Sequence, residues 1–288
     1  MKKITFIIVA VLFTNMAFAQ FYVSGSVGVT NGSAEQKLGE TVTISETVNA
    51  YGSYGEGINY QLRAGYFFNE TFGVDLGFAY LHGFDQTISE VDLPLPQFLH
   101  TEVEARARAR AYGFSPSIVY KFTDHLYGRF GALIKLGGKT EALVYKKEDL
   151  MQPELLGLPA GSYSETNYIE DYHGQLPLGF VGAFGYKYDF ANNFSLFAEA
   201  EYMGISVKRK DSEIKSFNTD IKLPDGTTVV EGLYSLDNLP EGYVIKSEYV
   251  DVLPNNNTDP SQKLSQKVPY SSFGINVGVT YNFGNAKK

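Results

Sequence analysis

The chain has neither cysteine nor tryptophan among its 288 residues. Without cysteine there is no disulfide framework, thiolate zinc site, thiol nucleophile or lipid-modified N-terminal cysteine. Charged residues make up only 19%, and mean hydropathy is −0.15. A bundle of transmembrane helices needs several apolar runs of about 20 residues, and no such set is present. The four histidines, at 82, 100, 125 and 173, fall in expected loops or turns. No nucleophile elbow, Gly-rich phosphate loop or metal-spaced cluster accompanies them, so no catalytic, cofactor or metal residue is expected. What is abundant is 21 Tyr, 21 Phe and 29 Gly, too aromatic a composition for disorder.

Residues 1–19 read as a cleaved secretory signal. Lys2 and Lys3 form a basic start, Ile4 to Phe13 a short apolar run, and Ala17-Phe18-Ala19 a small-residue cleavage site. The mature chain, 20–288, is expected to be one domain. Losing two lysines takes its net charge from −8 to −10, a poor balance for nucleic-acid binding, which usually shows a basic patch.

Period two dominates the mature chain. Phe273, Ile275, Val277, Val279, Tyr281 and Phe283 share one face, with Gly274, Asn276, Gly278, Thr280 and Asn282 on the other. The same alternation runs through Ile58–Phe68, Phe72–Tyr80, Phe114–Phe122, Leu126–Leu136, Leu176–Phe190 and Phe194–Tyr202, and more weakly through Phe21–Thr30. That predicts about eight strands, each long enough to cross a membrane. Links at 69–71, 123–125 and 191–193 are tight, whereas 31–56, 82–101, 139–173 and 211–268 are long and polar. Short turns at one end and long loops at the other predict an all-β, closed, antiparallel up-and-down transmembrane barrel, with periplasmic turns and extracellular loops.

A soluble barrel around an apolar ligand would turn its apolar face inward. Three features favour the outward arrangement. Tyr and Phe gather at strand ends as interfacial girdles do; the apolar face is free of charge; and the other face holds Arg63, Asp75, Arg129, Lys135, Lys187, Glu199 and Glu201. With about eight strands the lumen is just wide enough for side chains to fill. These charges are read as a lumen network of ion pairs, Arg63 and Arg129 opposing Asp75, Glu199 and Glu201. Glycines at 65, 73, 77, 131, 179, 185, 274 and 278 are expected to make room for the charged neighbours. Glu199 and Glu201 share a face, but carboxylates opposed by arginines are read as structural rather than catalytic.

These segments resemble the eight-stranded outer-membrane β-barrel family, which includes the transmembrane domain of outer-membrane protein A and outer-membrane protein X. The stretches that carry the resemblance are Phe273-Gly-Ile-Asn-Val-Gly-Val-Thr-Tyr-Asn-Phe283, Phe114-Ser-Pro-Ser-Ile-Val-Tyr-Lys-Phe122, and Gly185 to Phe190 with Asn193 to Glu199. The resemblance implies residence in the bacterial outer membrane and makes the aromatic-ended last strand, Tyr281 and Phe283, the signal for the barrel-assembly machinery. It specifies the barrel and says little about its task.

Glu102-Val-Glu-Ala-Arg-Ala-Arg-Ala-Arg110 alternates strictly. If its register runs unbroken into Phe114, Arg106, Arg108 and Arg110 face outward above the lipid core, where arginine can pair with lipopolysaccharide phosphates. A bulge at Gly113 would turn them to the barrel mouth, and a merely solvated strand extension is the plainer reading. The segment 211–267 carries ten acids against five lysines. It is expected to hold a hairpin around Pro224-Asp225-Gly226 and a strand within Tyr243–Val252, forming a sheet whose edge can recruit a partner strand. The expected function is a non-enzymatic structural or surface-interaction barrel, contacting outer-membrane lipid, lipopolysaccharide and a surface macromolecule through acidic loops. A small-solute or lipid-related channel and a lipid A-modifying enzyme are the alternatives.

Overall fold

A computed structural model describes residues 20–34, 36–94 and 100–283. The expected signal at 1–19 lies outside the described residues. Eight wall strands close into a ring: Gln20–Gly32, Gly57–Phe67, Phe72–Gly83, Thr101–Lys121, Leu126–Asp149, Leu178–Asp189, Phe194–Gly204 and Ser272–Asn282. Each pairs antiparallel with the next in the chain. The eighth returns to the first, from Tyr22 opposite Asn282 to Gly32 opposite Ser272.

Local chemistry makes the tight turns. Asn69 Oδ1 accepts the N–H groups of Thr71 and Phe72 at 2.9 and 2.7 Å, and Thr123 Oγ1 accepts those of His125 and Leu126 at 3.2 and 2.9 Å. Short polar side chains that bond their own backbone two or three residues on are what such turns require. At the third turn Asn193 Nδ2 donates to Asn282 O at 2.8 Å, tying it to the closing strand.

Alternation places the apolar residues outside the ring. Leu62, Phe130 and Ile275 are 65%, 63% and 62% exposed. At the tight-turn end, rings pass contacts from strand to strand: Phe72 to Tyr120, Tyr120 to Phe122, Phe194 to Tyr281, Tyr281 to Phe283 and Phe283 to Phe21. A second, sparser set, Tyr60 with Tyr80 and Phe180 with Tyr202, lies toward the other end.

The long-loop end departs from the expected loops. The fifth wall strand runs on through Asp149, and Tyr163–Gly174 pairs with it. Ser206–Lys222 pairs with that in turn, and Thr228–Ser235 with Ser206–Lys222. Much of 139–173 and 211–268 is therefore strand. The buried face there mixes Ile214, Phe217 and Ile221 with Ser212 and Thr219, so alternation is weaker than in the wall. The turn at Pro224-Asp225-Gly226 is present, with Gly226 at φ 87°, and Lys246–Val250 adds a strand. On the opposite side, Gln86–Leu93 pairs with the fourth wall strand, and the hairpin Gln36–Val42/Thr47–Gly52 flanks it. The wall thus continues upward as an extended sheet.

Inside the base of this extension sits an apolar layer of Tyr54, Ala107, Ala109, Ala111, Leu133, Ala142, Ile205, Val207, Val268 and Tyr270. The Tyr54 and Tyr270 rings lie 5.8 Å apart, and the Tyr270 hydroxyl is 2.5 Å from Thr140 Oγ1.

Candidate functional site

The bore below that layer is crossed by hydrogen-bonded charge. Strand direction turns Arg63, Asp75, Arg129, Glu199 and Glu201 inward, and all five are 5% exposed or less. Arg63 Nη1, on the second wall strand, reaches Glu199 on the seventh at 3.1 and 2.9 Å. Arg129, on the fifth, donates to Glu199 Oε1 at 2.9 Å and to Glu201. Gln61 Nε2 and Asn59 Nδ2 donate to Glu201 Oε1 at 2.7 and 3.4 Å, and the Tyr127 hydroxyl donates to Glu199 Oε2 at 3.0 Å. These bonds join wall strands that do not neighbour one another in the ring, so each is a strut across the bore.

Asp75 meets neither arginine directly; its Oδ2 accepts the Tyr22 hydroxyl at 3.2 Å. Its Oδ1, Ser117 Oγ and Arg129 Nε have no protein partner. Asp75 and Ser117 are cross-strand neighbours, and Arg129 lies on the next strand, an arrangement suited to a bridging buried water. Lys135 and Lys187 stand apart from the cluster although they share its inner face. Lys135 lies toward the apolar layer, with its ammonium 5.7 Å from the Tyr270 ring. Lys187 pairs with Asp189 at 3.3 Å near the tight turns.

The inward glycines make room mainly for rings and hydroxyls rather than for charge. A Cβ at Gly65 would stand 2.2 Å from the Tyr22 ring, one at Gly185 2.4 Å from Tyr127, and one at Gly278 2.6 Å from Phe197. Tyr22 and Tyr127 are the hydroxyls that serve Asp75 and Glu199, so these glycines position donors by letting aromatic rings lie flat on the wall. Arg63 in turn lies 5.0 Å over the Phe197 ring. Asn59, Gln61 and Tyr127 are visible in the sequence as inner-face residues, but their role as donors is not. The strand of Tyr22 is the weakest in its alternation.

The Arg106–Arg110 register is unbroken: Ala105, Ala107, Ala109, Ala111, Gly113 and Ser115 are all buried inside. The bulge lies instead in the partner strand, where Gly137 faces Tyr112 and Lys135 faces Gly113, leaving Leu136 extra. The arginines therefore share the outer face of Tyr112 and Phe114. Each is engaged: Arg106 with Glu104, Arg108 with Glu141 at 2.7 Å and Asp85 at 3.6 Å, and Arg110 with the carbonyl oxygens of Gly83 and Ala109 at 2.7 and 2.9 Å. Lys139 bridges Glu141 and Asp171 at 3.0 and 2.8 Å. Burial works to raise the Glu141 carboxyl, but hydrogen bonds from Lys139 and Arg108 outweigh it and hold the group below its ordinary range.

Two histidines lie on strands rather than in loops: His82 is the penultimate residue of the third wall strand, and His173, within Tyr163–Gly174, meets Asp211 at 2.8 Å. Among the described residues no group of His, Asp and Glu could hold a metal. Tyr281 and Phe283 stack edge to face, 4.8 Å apart, on the outside of the closing seam.

A family model of the outer membrane protein beta-barrel domain matches residues 5–223. That span holds the first seven wall strands and stops short of the eighth. No curated protein matches the chain. Among solved structures, a crystal structure of a Pseudomonas aeruginosa FadL homologue is similar over 92% of this chain and 90% of that one, at 11% identity and a TM-score of 0.23. That likeness is too loose to argue from.

Proposed function

The chain belongs to the outer membrane protein beta-barrel domain family, which implies the bacterial outer membrane, and from that premise we propose a non-conducting, non-enzymatic surface-interaction barrel. In this reading residues 1–19 are the cleaved signal, the tight turns face the periplasm, and the extended sheet stands outside the cell as the contact surface. Tyr281 and Phe283 serve the assembly machinery during insertion.

The observation that carries the reading is the set of buried struts across the bore, Arg63 and Arg129 to Glu199 and Glu201. Ions passing here would have to separate charges held out of water, against attraction that low dielectric strengthens. The same engagement argues against catalysis, because both carboxylates already have cationic and neutral donors. Planar bilayers containing the purified barrel should show no stable conductance, and expression should leave the lipid A mass spectrum unchanged. A steady conductance that disappears on Arg129 or Glu199 substitution would sink the proposal in favour of a channel; a new lipid A species would do so in favour of an enzyme.

The outward arginines support a lipid contact as well. Arg106, 54% exposed at its side chain, shares the outer face of Tyr112 and Phe114 on the same strand, and arginine suits phosphate through paired hydrogen bonds. Arg106→Ala/Arg108→Ala/Arg110→Ala should lower the lipopolysaccharide that co-purifies; an unchanged amount would remove this contact.

A further inference from the structure

Two of the longer outer strands of the extended sheet, Thr228–Ser235 and Thr47–Gly52, are built differently. Unpaired strand edges are ordinarily blunted by charge, proline or a bulge, because a bare edge invites another strand. Thr228–Ser235 shows two such devices: it carries Glu231, and its pairing with Ser206–Lys222 is irregular, with Gly232 at φ 60°. Thr47–Gly52, reading Thr-Val-Asn-Ala-Tyr-Gly, has neither charge nor proline. It is the one strand of the extension, among the described residues, without a charged side chain. Its ladder is with Gln36–Val42 alone, and the one irregularity there places its extra residue, Leu38, on the inner strand and not on this edge. Val48 and Tyr51 are 52% and 60% exposed, and Ile44 at the hairpin tip is 61% exposed.

The backbone of this edge is available in a definite pattern. Thr43 N donates to Glu46 O at 2.9 Å across the hairpin tip. Hydrogen-bonded and non-hydrogen-bonded pairs alternate along an antiparallel ladder, so Thr47, Asn49 and Tyr51 direct their N–H and C=O groups to the free side. Such an edge is complementary to itself. In an antiparallel pair centred on Asn49, Thr47 faces Tyr51 of the second copy and Val48 faces Ala50. The β-branched–aromatic pair is a favourable cross-strand match, and no like charges oppose. Elsewhere the acidic excess of the extension, ten acids to five lysines over 211–267, would make two copies repel.

Topology fixes how those copies must stand. Gln86–Leu93 is antiparallel to the fourth wall strand and so runs away from the ring; Gln36–Val42 is parallel to Gln86–Leu93, and Thr47–Gly52 returns. Pairing this strand antiparallel with its own copy reverses one barrel relative to the other. Two barrels in one membrane point the same way and cannot meet so. We propose that Thr47–Gly52 is a self-recognition strand that joins copies of this chain in facing membranes by antiparallel edge pairing. The inference rests on the reading that the long-loop end faces outward, and it names the partner as a second copy.

The test uses lipid vesicles carrying the full mature chain, with clustering followed by light scattering at physiological salt and above, where screening relaxes repulsion between acidic loops. Thr47→Lys/Tyr51→Lys opposes like charges in the pair, as does Thr47→Glu/Tyr51→Glu, whereas the two variants are complementary to each other. Heat-shifted gel mobility first shows that both are folded. Wild-type vesicles should cluster, each charged variant alone should lose clustering, and an equal mixture of the two variants should regain it. Dispersed wild-type vesicles would overturn the proposal, as would wild-type clustering by either variant alone or a mixture that stays dispersed. A silent bilayer recording beside dispersed vesicles would reject the self-recognition strand and leave the closed bore standing.

Discussion

The inner face of the wall pairs Arg63 and Arg129 with Glu199 and Glu201 at 5% exposure or less. The outer face of the extension pairs Arg106 with Glu104 and Arg108 with Glu141 at side-chain exposures from 16% to 54%. The residue types are the same, and the distances are similar where ordinary hydrogen-bond lengths apply. What differs is the alternative open to each group when its partner leaves. On the outer face water takes the vacated place, so an exposed pair contributes only about 0.2–1 kcal/mol. In the bore bulk water does not, and an orphaned charge in low dielectric costs about 3–5 kcal/mol. The inner cluster therefore reports on the closure of the barrel, whereas the outer one reports mainly on its surroundings.

The strongest way to break that comparison is Glu199→Ala. It leaves Arg63 without its carboxylate and Arg129 with Glu201 alone. Equilibrium urea unfolding in vesicles should show a loss of about 3–5 kcal/mol; a loss near that of an exposed pair would mean that water reaches the bore. Glu199→Leu/Arg63→Met should lose less than Glu199→Ala, because it removes opposite charges together and keeps Arg129 with Glu201. The two sites share a network, so their effects should fail to add. Next in size is Gly65→Val. Its side chain must displace the Tyr22 ring, 2.2 Å from a Cβ at that position, and overpacking of this kind costs about 1–3 kcal/mol. Tyr22→Phe should leave the fold intact while removing only the hydroxyl that Asp75 accepts.

Much of the wall is legible from alternation because each wall strand has one strongly apolar face. The turns at 69–71 and 123–125 are legible because Asn69 and Thr123 carry their own hydrogen-bond chemistry. Face assignment also puts Arg63, Arg129, Glu199 and Glu201 on one surface. It cannot say which inward charges meet, because that depends on the stagger between strands, which the period of a single strand does not contain. Lys135 shows the gap: six residues along from Arg129, it ends beneath Tyr270 rather than among the carboxylates. In the stretch from Ala105 to Ala111 the arginines draw the eye, yet the alanines are what the inner layer uses, since only small side chains let Tyr54 and Tyr270 fill the bore. The extension is hardest to read because its buried face mixes apolar with small polar side chains and its strands owe their order to neighbours distant in sequence.

The smallest expected effect tests the outer side of the comparison. Lys139 and Arg108 hold the Glu141 carboxyl below its ordinary range, against the burial that would raise it. A carboxylate with a lowered folded pKa adds stability that is fully present above the unfolded value and is lost as pH falls through the folded one. Glu141→Gln should therefore cost no more than about 1 kcal/mol at neutral pH, given the exposure of the pair. The difference from wild type should shrink in acid, as both chains come to carry a neutral side chain at 141. It should also shrink as salt is raised, because the Debye length falls from about 10 Å at 0.1 M to about 3 Å at 1 M. Glu199→Gln, made alongside, should keep its deficit at high salt, since counter-ions cannot enter the closed bore. Equal salt sensitivity at 141 and 199 would mean that the lumen is hydrated and that the two faces of the wall are not as different as their exposures make them.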